Sequence, residues 1–576
     1  MKFDEITTHL GQFGKYQKRL YFILCLPAIS CGIQMFGSVF ILAVPNHRCA
    51  VETLSNDTYS VEGRSHDAAV NASIPYTFED DERLYTDCSH YSTTNATLFN
   101  EFGIPEDSPT HTCNKWVYDK SVFEETLISE MNLVCGDRIA RSHANMILFG
   151  GLLVGALGFG LISDLIGRKK AMMISIVLHC ASSIAQPFSP NYAALVSLRF
   201  ITGASTVGLF LLAFVIGIEF IGPQKRIWAG VVIEFFWCIG LFLDILAAYF
   251  FRDWRMLQLV VSVPTVLFLS YFWLVPESAR WLLAKGKNEE AEKIIRHIGK
   301  VNSVTLPEKI IDKNTGTENR DSSILKMFTS PVLVVRTLVI YFNWCVVSMV
   351  YYGLMLNVGS LGGDIYVNSV ISAAMEVIAY ALCLLLLDRM GRKKLHSLSM
   401  ILGGVACLCT IFTVLYGGEE KEWTTILLSN IGKLGSSIAF AVIYVYSAEL
   451  FPTVVRNSGL GSSSMCARIG GMVSPYIADL GTLVEGPTSK ALPLIIFGGL
   501  SIAAGLLALI LPETVNRKLP ETIEDALMFG RQNSDNKYYV NKAYDDDEEY
   551  STSGVAKQQS YKKGDYSDTI FNSEKL

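Results

Sequence analysis

The stretch Gly158-Phe-Gly-Leu-Ile-Ser-Asp164-Leu-Ile-Gly167-Arg168-Lys169-Lys170 is echoed by Asp388-Arg389-Met-Gly391-Arg392-Lys393-Lys394, and each copy ends a long apolar run. Each sets a carboxylate, a glycine and a basic cluster where a hydrophobic helix leaves a bilayer. The acid can accept hydrogen bonds from a neighbouring helix end, the glycine admits a tight turn, and the basic residues hold the turn on the cytoplasmic side. The doubling predicts two related halves with matched loops, and a device that latches two helices in one state of a moving protein.

Composition agrees with a membrane body. Half of the residues are hydrophobic, 18% are charged and the mean hydropathy is +0.33, less charge than soluble chains usually carry. The net charge of -6 is modest, and Asp545-Asp-Asp-Glu-Glu549 in the C-terminal tail supplies much of the acid. This balance excludes nucleic acid as a partner class; the lipid bilayer is the expected one.

Apolar runs of spanning length, roughly 20 residues each, fall near 20–42, 144–163, 171–187, 195–217, 228–250, 257–275, 332–355, 365–387, 395–416, 424–446, 457–480 and 489–511. Lipid satisfies no open backbone groups, so these runs predict an all-α integral membrane bundle of twelve helices. The third and eleventh are the weakest, because Pro187 and Pro190 cut one and Arg468 interrupts the other. The first lacks a small-residue cleavage site and follows Lys15, Lys18 and Arg19, which reads as a retained helix. Basic residues at 168–170, 225–226, 392–394, 456 and 517–518 place both termini in the cytoplasm. Arg252 and Arg255 then fall outside; with Asp253 and Trp254 beside them, they are expected to be held by local pairing and interfacial anchoring.

The expected organisation is a cytoplasmic N-terminus 1–19, a six-helix half 20–275, a central cytoplasmic loop 276–331, a second half 332–511 and a cytoplasmic tail 512–576, disordered from about 519. The polar loop 43–143 carries sequons at Asn56, Asn71 and Asn95, which fit glycosylation, and Cys49, Cys88, Cys113 and Cys135, which imply two disulfides in any of three connectivities. The other nine cysteines sit in or beside apolar runs and read as small hydrophobic residues. In the central loop Glu289, Glu290, Glu292 and Lys293 predict short surface helices.

Enzyme chemistry finds no support. The nine histidines are scattered, and neither a zinc pattern nor a phosphate-binding glycine loop occurs. No cofactor and no metal is expected. Transport, if driven, must draw on the substrate's own gradient, the membrane potential or a coupled ion. Oligomeric state is not legible.

The repeated Asp-x-x-Gly-Arg-Lys cassettes resemble the signature loops of the major facilitator superfamily, and further segments are similar to its organic cation, carnitine and organic anion transporter family. These are Pro276-Glu-Ser-Ala-Arg-Trp-Leu282, its counterpart Leu511-Pro-Glu-Thr514, the segment Ser447-Ala-Glu-Leu-Phe-Pro-Thr-Val-Val-Arg-Asn-Ser-Gly-Leu-Gly461, and the opening Leu10-Gly-Gln-Phe-Gly-Lys-Tyr-Gln17. The likeness covers roughly 1–515 and is nearest in flavour to invertebrate organic cation transporter proteins. It implies two pseudosymmetric six-helix halves around a cavity that opens alternately to either side, at the plasma membrane, with substrate near the midplane.

Within that resemblance, an organic cation favours aromatic faces with a carboxylate at some distance. The seventh span offers Trp344, Tyr351, Tyr352 and Asn357, and the family places cavity aromatics in this span; Trp237 and Tyr444 are further candidates. Ordinary packing is the competing reading for each. Charges inside spans are costly, so Glu376, Glu234, Asp244 and Arg468 count as functional candidates. Glu376 matches an intramembrane glutamate of the family. Arg468 stands where the family's cation carriers tend to have aspartate and its anion and carnitine carriers arginine, and it either meets a substrate carboxylate or pairs internally with Glu376 or Glu234. Glu219 with Arg226, and Glu449 with Arg456, are expected to join Asp164, Gly167, Arg168, Asp388, Gly391 and Arg392 in a salt-bridged latch.

The resulting expectation is a transporter of small organic cations or carnitine-like zwitterions. An organic anion exchanger of the same fold is the alternative, and a non-transporting membrane sensor a more distant one.

Overall fold

The computed structural model describes residues 3–51, 54, 56–79, 82–91, 110–222, 225–307, 327–328, 330–416, 422–483, 489–517 and 519–529. Helices form at all twelve apolar runs. In the first half α1 is Lys15–Phe36, resumed past Gly37 as Ser38–Ile41; α2 is Ile139–Ile166, α3 Arg168–Ala185, α4 Tyr192–Phe220 and α5 Arg226–Phe250. The sixth element, α6, runs as Trp254–Ser262, tightens to a 3-10 helix over Val263–Ser270 and closes as Tyr271–Leu274. Pro264 explains the change, since it removes an N–H from the α ladder.

In the second half α7 is Pro331–Leu356, α8 Ile365–Met390, α9 Arg392–Tyr416, α10 Glu422–Leu450, α11 Arg456–Ala478 and α12 Leu492–Ala508. Among the described residues ten of the twelve are long and apolar enough to span a bilayer on that basis alone. The exceptions are α11, diluted by Arg456, Arg468 and Ser462-Ser463-Ser464, and α12, which is 17 residues long. The third run is a full helix that reaches the 3-10 turn Gln186–Phe188 before Ser189 and Pro190 end it. Arg468 does not break α11, because a side chain that faces the bundle interior leaves the backbone ladder intact.

Packing repeats between halves. Helices α2 and α4 are matched by α8 and α10, and α1 and α5 by α7 and α11; the halves meet where α2 lies on α11 and α5 on α8. Side-chain carboxyl and amide groups start several helices: Asn191 accepts from the Ala194 N–H at 2.9 Å, Asp253 from Met256 at 2.8 Å and Asp364 from Tyr366 at 2.7 Å.

The loop between α1 and α2 folds on its own small core of Cys49, Val51, Val70, Ile74 and Cys113. Disulfides join Cys49 to Cys113 and Cys88 to Cys135, fixing one of the three connectivities. Short antiparallel pairs tie His47–Cys49 to Trp116–Tyr118, Tyr76–Glu79 to Glu82–Tyr85 and Ser89–Tyr91 to Thr110–Thr112. His47, Cys88 and Cys135 converge as three ligand-type side chains, but the disulfide uses two of them. Asn56 is exposed, Asn71 is half-buried with its Oδ1 accepting from Tyr85 at 2.6 Å, and Asn95 lies outside the described residues.

Arg252 and Arg255 are held locally, through partners contributed by this loop. Arg255 pairs with Glu130, which also accepts from Trp254 Nε1 at 2.7 Å, and Arg252 donates to the Ser121 carbonyl at 3.1 Å.

The central segment gives helices Ala279–Ala284 and Asn288–Asn302. Asn302 docks the second onto the N-terminal segment, donating to Leu10 O at 2.9 Å and Gln17 Oε1 at 2.8 Å. Residues 308–326 lie outside the described residues. The chain divides into units 1–527 and 528–576, and 530–576 lie outside the described residues. The expectation of disorder from 519 needs correction: a helix forms over Ile523–Met528. Its start is reciprocal, with Thr522 Oγ1 accepting from Asp525 N–H at 3.2 Å and Asp525 Oδ2 accepting from Thr522 N–H at 3.0 Å. Arg336 of α7 then donates to the Ala526 carbonyl at 2.7 Å.

Candidate functional site

A cavity of about 60 Å³ lies between the halves. Phe210 of α4 and Glu234 and Trp237 of α5 form its wall from the first half. Tyr351 and Tyr352 of α7, Tyr380 of α8, Phe440 and Tyr444 of α10 and Arg468 of α11 form the facing wall. The rings are mutually braced: Tyr351 and Tyr352 stand 5.0 Å apart edge to face, Phe440 is 5.2 Å from Tyr351 and 5.7 Å from Tyr444, and Phe210 is 6.0 Å from Trp237. Such pairs hold the rings at fixed angles, and ring faces other than that of Tyr351 can meet a cation.

Five expected cavity residues therefore share one site: Trp237, Tyr351, Tyr352, Tyr444 and Arg468. Two stand behind the wall. Trp344 donates Nε1 to Ser447 Oγ at 2.8 Å and packs edge-on against Tyr444 at 4.4 Å, so it positions that ring. Glu376 is wholly buried, accepting from Tyr351 and, at 3.0 Å, from Tyr380. Its counter-charge is Lys433 of α10, 3.5 Å away, whose Nζ also lies 3.6 Å from the Tyr351 ring centroid.

Sequence reasoning missed Lys433. A lysine in an apolar run with a glutamate in the run two helices earlier is the signal that could have found it.

With Glu376 neutralised by Lys433, neither internal pairing considered for Arg468 forms. Among the described residues no carboxylate lies within ion-pairing distance of Arg468, and its Nε has no hydrogen-bond partner; the guanidinium lies against Tyr444. Glu234, in the opposite wall, likewise has no basic partner among the described residues. Trp237 Nε1 also lacks a hydrogen-bond partner. The cavity thus presents a carboxylate from one half and a guanidinium from the other, with aromatic faces between them.

At the cassette end each half repeats one clamp. Gly167 and Gly391 take φ of +110° and +86°, a region where a side chain is strained. A Cβ on Gly167 would stand 2.4 Å from Glu277 Oε2, and one on Gly391 2.6 Å from Glu513 Oε2. Seated there, Glu277 Oε1 accepts from the N–H groups of Arg168 and Lys169 at 2.8 and 3.1 Å. Glu513 Oε1 accepts from Arg392 at 2.9 Å. Each carboxylate caps the open first turn of the next helix, α3 or α9.

Arg168 then reaches Asp164 at 2.7 Å and Glu219 at 3.5 Å, and Arg392 reaches Asp388 and Glu449, both at 3.0 Å. The aspartate side chains are 69% and 81% exposed, the glutamates 12% and 14%. An exposed pair one turn apart contributes only about 0.3–0.5 kcal/mol, so the weight of the clamp rests on the glutamates. Arg226 and Arg456 donate Nε to the Ile221 and Phe451 carbonyls at 3.2 and 3.4 Å, capping the ends of α4 and α10. Glu277 and Glu513 were legible only as parts of the Pro-Glu-Ser and Pro-Glu-Thr segments, without a role.

At the opposite end, beside the disulfide-bonded loop, the halves are joined. Arg141 pairs with Asp479 at 3.3 Å, Ser142 donates to the same carboxylate, and Phe40 stacks on Tyr366 at 5.8 Å.

A family model described as sugar (and other) transporter matches residues 133–526. The chain belongs to this family. It is 40% identical to the organic cation transporter protein of Drosophila melanogaster, over 92% of this chain and 96% of the relative. It is 33% identical to the organic cation/carnitine transporter 2 of Homo sapiens, over 91% of this chain and 94% of the relative. Among solved structures, the partially occluded, inward-open xylose transporter XylE from E. coli matches with a TM-score of 0.56 at 15% identity, over 87% of this chain and all of that one; the likeness shows the fold. As a member of this family the chain is a multi-pass membrane transporter with the twelve-helix architecture of the major facilitator superfamily.

Proposed function

We propose that this chain is a secondary or facilitative carrier of small organic cations and carnitine-like zwitterions, working by alternating access and performing no catalysis. One observation carries the reading. Glu234 and Arg468 line one cavity from opposite halves, and neither has an ion-pair partner among the described residues. Both are half-buried, and a charge inside a span without a counter-charge is costly. A molecule with an ammonium and a carboxylate compensates both at once, its ammonium against Glu234 and the aromatic faces, its carboxylate on the guanidinium fork. A simple organic cation satisfies Glu234 alone. The curated relatives carrying organic cation and carnitine names support the same class.

Because the two charges belong to different halves, a zwitterion bridging them favours the closed-up cavity over either open form. Differential binding of this kind drives a population shift. The clamps built on Arg168 and Arg392 hold helix pairs as rigid units within their halves, and the Arg141–Asp479 pair closes the loop side. We place the carrier in the plasma membrane with both termini cytoplasmic, which puts the disulfides in an oxidising space and makes Asn56 the more exposed of the two described sequon asparagines, a candidate glycosylation acceptor.

The test is uptake by expressing cells of labelled tetraethylammonium, carnitine and an aryl anion. Saturable uptake of the first two is expected. Saturable uptake of the anion alone would establish the anion-exchanger alternative instead.

A further inference from the structure

Asp244 lies on α5, six residues before its last residue, Phe250, and is fully buried. Neither of its carboxylate oxygens has a hydrogen-bond partner. The seam between α1 and α5 that encloses it is tight: a Cβ on Gly32 would come within 2.7 Å of the Trp237 carbonyl oxygen, and one on Gly240 within 2.3 Å of the Ile29 carbonyl oxygen. Further along this seam a Cβ on Gly37 would stand 3.6 Å from both Asp244 oxygens. The acid thus faces α1 where that helix breaks between Phe36 and Ser38.

The charged and titratable groups on surrounding elements are engaged elsewhere. Cys31 of α1 donates to the Thr206 carbonyl, Arg199 of α4 donates to Ser38 Oγ at 2.7 Å, and Tyr366 of α8 donates to the Ala248 carbonyl at 3.3 Å. From α6 come Gln258 and Ser262, bonded to each other at 3.0 Å, neither of which titrates. An ionised carboxylate in such a place has nothing to offset its lost hydration, so the group is stable there only when neutralised.

A hollow at the loop side comes within one helical turn of the acid along α5. It is lined by Glu125, Arg252, Phe40 and Ala248, and Ala248 is one helical turn beyond Asp244 on the same face of α5. Glu125 sits in this pocket with its carboxyl held above the usual range by burial, then by Glu130 and Asp253.

We propose that Asp244 is a proton-binding site of this carrier, loaded from the loop side through the pocket beside Glu125 and coupled to the movement of α1 against α5. The proton adds to one carboxylate oxygen from hydronium and leaves by breaking the same O–H bond; no other bond changes. Protonation removes the isolated charge and lets the seam close, and deprotonation favours a state in which water reaches the acid. The coupling part rests on the carrier reading; the titration of Asp244 does not.

The purified full chain is reconstituted in liposomes containing a pH-sensitive dye. Net carnitine uptake is expected to change several-fold with an imposed proton gradient and to be accompanied by a dye response. Asp244→Asn should lose both while retaining carnitine–carnitine exchange, and Asp244→Glu should restore the gradient response. Wild-type uptake indifferent to the proton gradient, uptake driven by sodium instead, or an Asp244→Asn protein that keeps the gradient response would each overturn the proposal. An infrared titration without substrate separates this from the carrier reading. A protonated-carboxyl band lost in both the Asn variant and at high external pH supports the site even where carnitine does not move, and no such band in the wild type refutes it.

Discussion

Lys433 of α10 and Glu376 of α8 form an ion pair at 3.5 Å, with side chains 3% and 0% exposed. The pair neutralises a glutamate that would otherwise be the natural anion for a cationic substrate. It also fixes Tyr351, which donates to Glu376 at one end and receives the Lys433 ammonium over its ring.

Removing one partner of this pair should therefore harm the protein more than removing both. Glu376→Gln or Lys433→Met alone leaves one buried charge, a loss of about 3–5 kcal/mol in comparable pairs. The double variant should recover much of it. Thermal unfolding of the purified variants measures this; a double variant no more stable than the worse single one would show that the pair is not self-contained.

The clamp glycines are expected to resist even a methyl group. In Gly391→Ala the backbone, at φ +86° and ψ 164°, sits in a region essentially reserved for glycine and is strained by about 1–3 kcal/mol, and the added carbon displaces the Glu513 carboxylate from the α9 N-terminus. Turnover should fall with little change in substrate KM, since the cavity is untouched. Initial-rate uptake at matched surface abundance reads the split, and a raised KM with unchanged maximal rate would contradict it.

Acid should loosen the contact between the disulfide-bonded loop and α6. Arg255 beside Glu130, helped by the Trp254 N–H, holds the Glu130 carboxyl below its ordinary value. The unfolded chain then binds the proton first as pH falls. Stability from this pair is fully present above the ordinary carboxylate value of about 4.3 and is lost as pH drops through the lower folded value. Limited proteolysis of the loop from pH 6 downward should show cleavage rising in acid, and Glu130→Gln should flatten that dependence. An unchanged pH profile in the variant would remove Glu130 from the account.

Most of the fold was legible because its causes are local. Twelve apolar runs, two cassettes and a cysteine-bearing loop each act through chain chemistry that a sequence displays. The aromatic wall was partly legible, through Tyr351 and Tyr352 on one helix face. The charges were harder. Whether Glu376 meets substrate depends on Lys433, 57 positions away in sequence, and whether Arg468 is internally paired depends on that same lysine. The clamps show the same limit: Glu277 lies 109 residues from the N–H it caps, a relation that no spacing rule reveals. Asp164 and Asp388 stood out in sequence because they are adjacent to their arginines, and adjacency is why they remain exposed and contribute little.

The central claim is that Glu234 and Arg468 grip the two ends of one substrate. The most direct measurement is carnitine and tetraethylammonium uptake by Glu234→Gln and Arg468→Gln, compared at equal surface abundance. Glu234→Gln should raise KM for both substrates about tenfold or more, and Arg468→Gln should do so for carnitine alone, since hydrogen bonds to charged groups contribute roughly 1.5–3 kcal/mol. Unchanged carnitine KM in both variants would contradict the account.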